Sequence, residues 1–182
     1  MSLKVTQLAA LLAGSLLFAA PVSAQVMVGG APMYANKTIA QNAPEAPNLT
    51  TLVAAVKAAG LVETLGSPGP FTVFAPTNRA FEKLPAGTVD TLVKPENKAT
   101  LTEILTYHVV PGTYSAQKLM AGAKKKGGLT LTTVAGKPIT LKMSKGKLIV
   151  IDQKGGGAVV QTADVKQSNG VVHVIGSVLL PK

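Results

Sequence analysis

Cysteine is absent from this 182-residue chain. No disulfide can hold it, and no thiol can serve as nucleophile or soft metal ligand. Histidine occurs only at His108 and His173. Two isolated imidazoles without cysteine fall short of a zinc ligand set. Aspartate and glutamate together number 8 and are scattered, so no paired acid/base site is indicated. Ser115 with a histidine and Asp90 or Asp164 would supply the residue types of a nucleophilic triad, but nothing in their spacing marks them for mutual reach. Gly155-Gly156-Gly157 lacks the Lys-Ser/Thr of a phosphate loop. The expectation is a protein that is not an enzyme and carries no cofactor and no metal.

Long apolar runs are also missing beyond the N-terminus. The leading run, Leu8 to Ala20, is 13 residues long, short of the roughly 20 that span a bilayer. Lys4 precedes it, Pro21 breaks it, and Val22-Ser23-Ala24 supplies the small-x-small pattern of a signal-peptidase site. Residues 1–24 therefore read as a cleavable signal peptide, and the protein is expected to be exported, periplasmic or secreted, and not membrane-spanning. Removing them leaves 158 residues of the 182, enough for one domain with one core. Without cysteine, that core must rest on apolar packing.

What the chain has in excess is lysine, and the excess is uneven. The net charge is +10. From Gln25 to Gln117, six basic and six acidic residues cancel; from Lys118 to Lys166, ten lysines face only Asp152 and Asp164. Such asymmetry suggests an anionic neighbour, and Lys124, Lys125, Lys126, Lys142, Lys145 and Lys147 are the candidate face for one. The competing reading is a solvated surface that aids solubility. Nucleic acid is disfavoured, because the basic half interleaves no aromatics for base stacking.

The pattern along the chain changes midway. Residues 25–37 read as a flexible leader, rich in Gly, Ala, Pro and Asn. Asn48 suits a helix N-cap. Leu49, Leu52, Val53 and Val56 then share one helical face, and Gly60 marks its end. Phe71 to Ala75 reads as a buried strand stopped by Pro76, and Thr77 opens a short helix with Ala80 and Phe81 turned inward. Leu101, Ile104, Leu105 and His108 repeat the helical spacing. Ser115 is read as the cap of a helix reaching Met120. After the Lys and Gly run come short alternating segments at 129–134, 138–143, 147–151, 158–162 and 170–175, separated by glycine turns, as in hairpins. Helices first and strands second make an α+β arrangement. His108 reads as a buried histidine held by a hydrogen bond, with Asn78 the suggested partner. The alternative is a place at a binding surface. His173 alternates with Val172 and Val174 and reads as surface-exposed.

Three segments together resemble the fasciclin domain family. They are Gly69-Pro-Phe-Thr-Val-Phe-Ala-Pro-Thr-Asn-Arg-Ala-Phe81, Tyr107-His-Val-Val-Pro-Gly112, and Asn169-Gly-Val-Val-His-Val-Ile175. Their motif residues include Phe71, Phe74, Pro76, Thr77, Asn78, Phe81, Asn169, Gly170 and His173. The resemblance covers about residues 38 to 181 and implies a fasciclin-like domain at 38–182, a β wedge of short antiparallel strands with several helices packed around it. It also implies that the first and third motifs are central neighbouring strands. The implied function is cell adhesion or matrix contact, with a protein or polysaccharide on a cell surface as partner. The family's contact positions carry over to Tyr107, His108, Asp164 and Val165. The ligand and the oligomeric state do not carry over.

Overall fold

The computed structural model describes residues 25–182. The signal peptide expected at 1–24 lies outside the described residues. Residues 25–37 depart from the flexible leader expected of them. Strands β1 (Val26–Val28) and β2 (Ala31–Met33) pair antiparallel through Gly29 and Gly30, both at positive φ. Two glycines between short apolar runs are a hairpin signal, and burial of Val28 and Met33 fixes the hairpin on the body. The one-turn helix α1 (Ile39–Asn42) follows, closed by reciprocal Thr38–Gln41 hydrogen bonds.

Helix α2 (Thr50–Ala59) buries Leu52, Ala55, Val56 and Ala59, and Gly60 at φ 73 ends it as the spacing predicts. Its N-terminal cap comes from elsewhere. Asn48, the expected cap, lies one residue too early, and its buried Oδ1 has no hydrogen-bond partner. Asn78 supplies the cap instead: its Oδ1 accepts from Thr51 N at 3.0 Å, and its Nδ2 donates to Thr50 Oγ1 at 2.9 Å. Asn78 N in turn donates to Asn48 O at 2.8 Å, so the start of α2 and the end of the first motif hold each other. Asn78 is therefore not the partner of His108.

The chain continues through α3 (Val62–Gly66), β3 (Phe71–Pro76), α4 (Asn78–Glu82), α5 (Thr88–Leu92), α6 (Lys98–Tyr107), β4 (Val109–Pro111) and α7 (Ala116–Ala123). Five strands complete it: β5 (Leu129–Thr132), β6 (Pro138–Ser144), β7 (Lys147–Ile151), β8 (Gly157–Gln167) and β9 (Gly170–Ile175). Ser115 caps α7 through Lys118 N as expected, and the helix runs one turn past Met120. The seven-stranded sheet has the order β4-β3-β9-β8-β7-β6-β5. The first and third motifs are neighbouring interior strands, second and third from the β4 edge rather than at the centre, and they run parallel, Phe71 opposite Gly170 through Pro76 opposite Ile175. The other pairs of the sheet are antiparallel. Beyond β5, Val134 N donates to Val109 O at 2.8 Å and draws the far edge toward β4. The sheet thus curls into a wedge with two apolar cores. One lies between helices α2, α4 and α6 and the β3/β9 pair. The other lies beneath α7 and takes in Phe74, Tyr107, Ile175 and Leu179.

The parallel pair starts where two backbones nearly touch. A Cβ on Gly170 would stand 2.0 Å from Phe71 O, and one on Gly69 would stand 2.0 Å from Asn169 O. Backbone on both sides cannot yield as a side chain can. Gly170→Ala is expected to destabilise the domain by about 1–3 kcal/mol in urea denaturation. Asn78→Ala is expected to cost about 1 kcal/mol through loss of the α2 cap. Unchanged midpoints would show that neither contact holds the fold.

Candidate interaction surface

The four residues put forward as adhesion contacts lie inside the domain or are occupied by it. Tyr107 ends α6 and is fully buried. Its hydroxyl donates to Pro138 O at 2.9 Å and accepts from Gln153 N at 3.2 Å, and burial raises the phenol's pKa. His108 is buried beside it. Its Nδ1–H donates to Ile104 O at 2.7 Å, and its Nε2 accepts from Leu179 N at 2.9 Å. Val165 is buried in the helix-side core. Asp164 stands on an irregular stretch of β8 at φ 56, and its Oδ1 accepts from Ala116 N, the first amide of α7, at 2.7 Å. A carboxylate there also complements the positive end of the helix. Tyr107, His108 and Asp164 each tie a loop or helix end to the wedge, and Val165 fills the core.

His173 was expected at the surface and is wholly buried. Alternation does put it on the opposite face from Val172 and Val174, but both faces of β9 are covered. It stacks on Phe74 with ring centroids 5.7 Å apart. Its Nε2–H donates to Tyr114 O at 2.8 Å, and its Nδ1 accepts from Asp164 N at 3.3 Å. Each histidine therefore uses one ring nitrogen as donor and the other as acceptor, which only the neutral ring does. Burial lowers the pKa of both, that of His108 to about 4.

Asn169 has a similar joining role. Its Oδ1 accepts from Ile39 N at 3.0 Å, and its Nδ2 donates to Leu65 O at 2.7 Å and Ser67 O at 2.9 Å. Of the other motif residues, Phe74, Pro76, Thr77 and Phe81 are buried, and Phe71 is half-buried. Sequence reasoning missed Asp152. It is buried; its Oδ1 accepts from Lys154 N and Gly156 N, and its Oδ2 accepts from Leu180 N at 3.0 Å. An aspartate just ahead of a glycine-rich turn was the available signal.

The six lysines behave differently. All are exposed. Leu129, at the start of β5, pairs with Leu141, whereas the β6–β7 hairpin runs on to Ser144 opposite Lys147. Lys142, Lys145 and Lys147 therefore project at the end of the sheet where the Lys124-Lys125-Lys126 turn enters β5. A Cβ on Gly128 would reach within 2.8 Å of Lys142 Cγ, which puts the turn against the hairpin. Among the described residues, no group of His, Cys, Asp or Glu is gathered to hold a metal ion. Nor is any helix among them long and apolar enough to cross a membrane.

A curled sheet with a parallel interior pair, flanked by helices and pinned by buried Tyr-His and Asn-Gly motifs, defines a small α+β module. The chain belongs to the fasciclin domain family, whose domain model matches residues 47–181. It is 51% identical over 144 residues to Protein sll1483 of Synechocystis sp., covering 79% of this chain and 73% of that protein. To Immunogenic protein MPB70 of Mycobacterium bovis it is 40% identical over 148 residues, 79% of this chain and 68% of that protein. Human periostin is 31% identical over 134 residues, which are 74% of this chain but 15% of periostin. Among solved structures, a FAS1 domain pair from the insect cell adhesion molecule fasciclin I superposes with a TM-score of 0.70 at 21% identity. The match covers 79% of this chain and 51% of that one, and shows likeness of fold.

The neutral histidines set a pH dependence. Between a folded pKa near 4 for His108 and its unfolded value of about 6.5, the unfolded chain binds the extra proton. The stability His108 contributes is therefore complete above about pH 6.5 and is lost as pH falls toward 4, by about 3 kcal/mol in total. His173 adds to the loss in the same direction. Urea titrations at pH 7.5 and 4.5 should show the fall, and His108→Ala should reduce it while itself costing about 1–3 kcal/mol at pH 7.5. A flat profile would mean that the rings are not held neutral.

Proposed function

We propose that this chain is an exported, non-enzymatic adhesion module that contacts protein or polysaccharide on a cell surface or in a matrix. Membership of the fasciclin domain family supports the adhesive role, and the signal-peptide pattern of residues 1–24 supports export. The single observation that carries the choice of contact surface is the gathering of six exposed lysines at one end of the sheet. With Tyr107, His108 and Val165 buried and Asp164 bonded to α7, that end is the domain's most distinct exposed chemistry.

Electrostatic contacts of this kind are screened by salt, with a Debye length of about 8 Å at physiological ionic strength. The charge asymmetry favours a second reading, in which the protein is a soluble periplasmic or secreted binder of anionic polysaccharide. Both readings use the same lysines, and cell retention separates them. Residues 25–182 immobilised on a surface are expected to retain whole cells and to bind a sulfated or uronic-acid polysaccharide, both more weakly in high salt. The triple variant K142E/K145E/K147E is expected to weaken polysaccharide binding by about tenfold or more. Binding without cell retention would favour the soluble-binder reading. Retention that ignores both salt and these lysines would remove the basic end from the function.

A further inference from the structure

Asparagine precedes glycine at one place in this chain, Asn169-Gly170. Asn36, Asn42, Asn48, Asn78 and Asn97 precede Lys, Ala, Leu, Arg and Lys. The difference matters for the side-chain amide. An asparagine loses that amide when the backbone nitrogen of the next residue attacks its Cγ. Glycine has no Cβ to shield the nitrogen, and its backbone reaches conformations closed to other residues.

The fold holds this pair still. Ser168 and Asn169 form the turn between β8 and β9, closed by Gln167 opposite Gly170. The Asn169 side chain is buried, and both ends of its amide are engaged. Its Oδ1 accepts from Ile39 N, and its Nδ2 donates to Leu65 O and Ser67 O. Attack needs Cγ to swing onto Gly170 N, and that swing pulls the amide off these partners. Gly170 is itself pressed against Phe71 of β3, so closely that a Cβ on it would stand 2.0 Å from Phe71 O. Protection lasts while the β3/β9 pair stays closed.

The same contacts leave no place for the product. A carboxylate donates no hydrogen bond. At position 169 it would set oxygen against Leu65 O and Ser67 O, which now lie 2.7 and 2.9 Å from Nδ2. An isoaspartyl link adds a methylene to the main chain. It would do so where Phe71 N meets Asn169 O at 3.1 Å and a Cβ on Gly69 would stand 2.0 Å from that oxygen.

We propose that Asn169-Gly170 is a modification site that makes opening of the domain one-way: once β9 parts from β3, the pair deamidates and the altered chain does not close again. Gly170 N bonds to Asn169 Cγ, giving a cyclic imide. The Cγ–Nδ2 bond breaks, and ammonia leaves with the proton that Gly170 N gives up. Water then opens the ring at either carbonyl, to aspartate or isoaspartate. Water is the one co-reactant, and nothing is oxidised or reduced. Chemical change of an open chain before it recloses is a general source of irreversibility. Here it falls on the pairing that positions three helices. The site is internal, so it is independent of how the exposed lysines are used.

The test follows the tryptic peptide Gln167–Lys182, which holds no other asparagine, by mass spectrometry. Residues 25–182 are kept at mildly alkaline pH, either folded or in urea, and the urea is then diluted away. In urea the peptide should gain the mass of an amide-to-carboxyl change. In folded protein the gain should be at least about tenfold slower, because only the open fraction reacts. The fraction that fails to refold should rise in step with that gain, while the other asparagines change far less. Gly170→Ala, compared with wild type in urea where neither is folded, should react much more slowly. Asn169→Asp should lower the urea midpoint or fail to fold. Equal rates in folded and unfolded protein overturn the proposal, as does a modified fraction that refolds like the untreated chain. So do loss of refolding without the mass gain and an Asn169→Asp midpoint equal to that of wild type.

Discussion

The domain depends on the parallel pairing of β3 with β9, where two stretches of backbone a hundred residues apart meet without side chains between them. Gly69 and Gly170 make the approach possible, and Phe71 N reaches Asn169 O at 3.1 Å. Everything else is arranged around this contact. The Asn169 side chain, fixed just ahead of β9, reaches α1 and the C-terminal end of α3. At the far end of β3, Asn78 reaches back to begin α2. One pairing therefore sets the positions of three helices. Pairing strands so distant in sequence costs loop entropy before it gains contacts.

Around that pair, polar side chains act as fasteners rather than as chemistry. His108, His173, Asp152, Asp164 and Asn169 each satisfy backbone groups that no regular ladder reaches. A buried amide or carbonyl left unbonded costs about 1–3 kcal/mol, so irregular loops need such partners. This explains how a chain without disulfides can keep short strands and one-turn helices in a fixed arrangement. It also explains why motifs that look reactive on paper are internal.

Much of the fold was legible because its signals are local. Leu52 and Val56 at helical spacing, Gly60 as a stop, and the alternating segments from 129 onward each state their own element. The Phe71–Ala75 and Gly170–Ile175 segments were legible as neighbours only through the family resemblance, since no local pattern names a strand's partner. The misreadings have one physical source. Asn48 had the right residue type for a cap, but a distant Asn78 filled the role. His173 had the right alternation for exposure, but Tyr114 and Phe74 cover that side. Composition suggested a leader at 25–37, whereas Val28 and Met33 had a core to enter. Burial by distant elements is decided in three dimensions, and a one-dimensional pattern does not record it. The lysine-rich end was legible as a charge count, but its gathering at one end depended on the β5–β6 and β6–β7 registers.

The last described residues carry a mechanical consequence. After β9 the chain does not peel away; Leu179 and Leu180 are bonded to His108 and Asp152 before the terminus. Behind them lies a strand hydrogen-bonded on both sides, to β3 and β8. A tug on the C-terminal end would load those two anchors first. It would then slide β9 along both neighbours, so that the ladder bonds share the force instead of breaking in succession. An interior strand bonded along both edges and anchored just past its end resists a pull along its own axis.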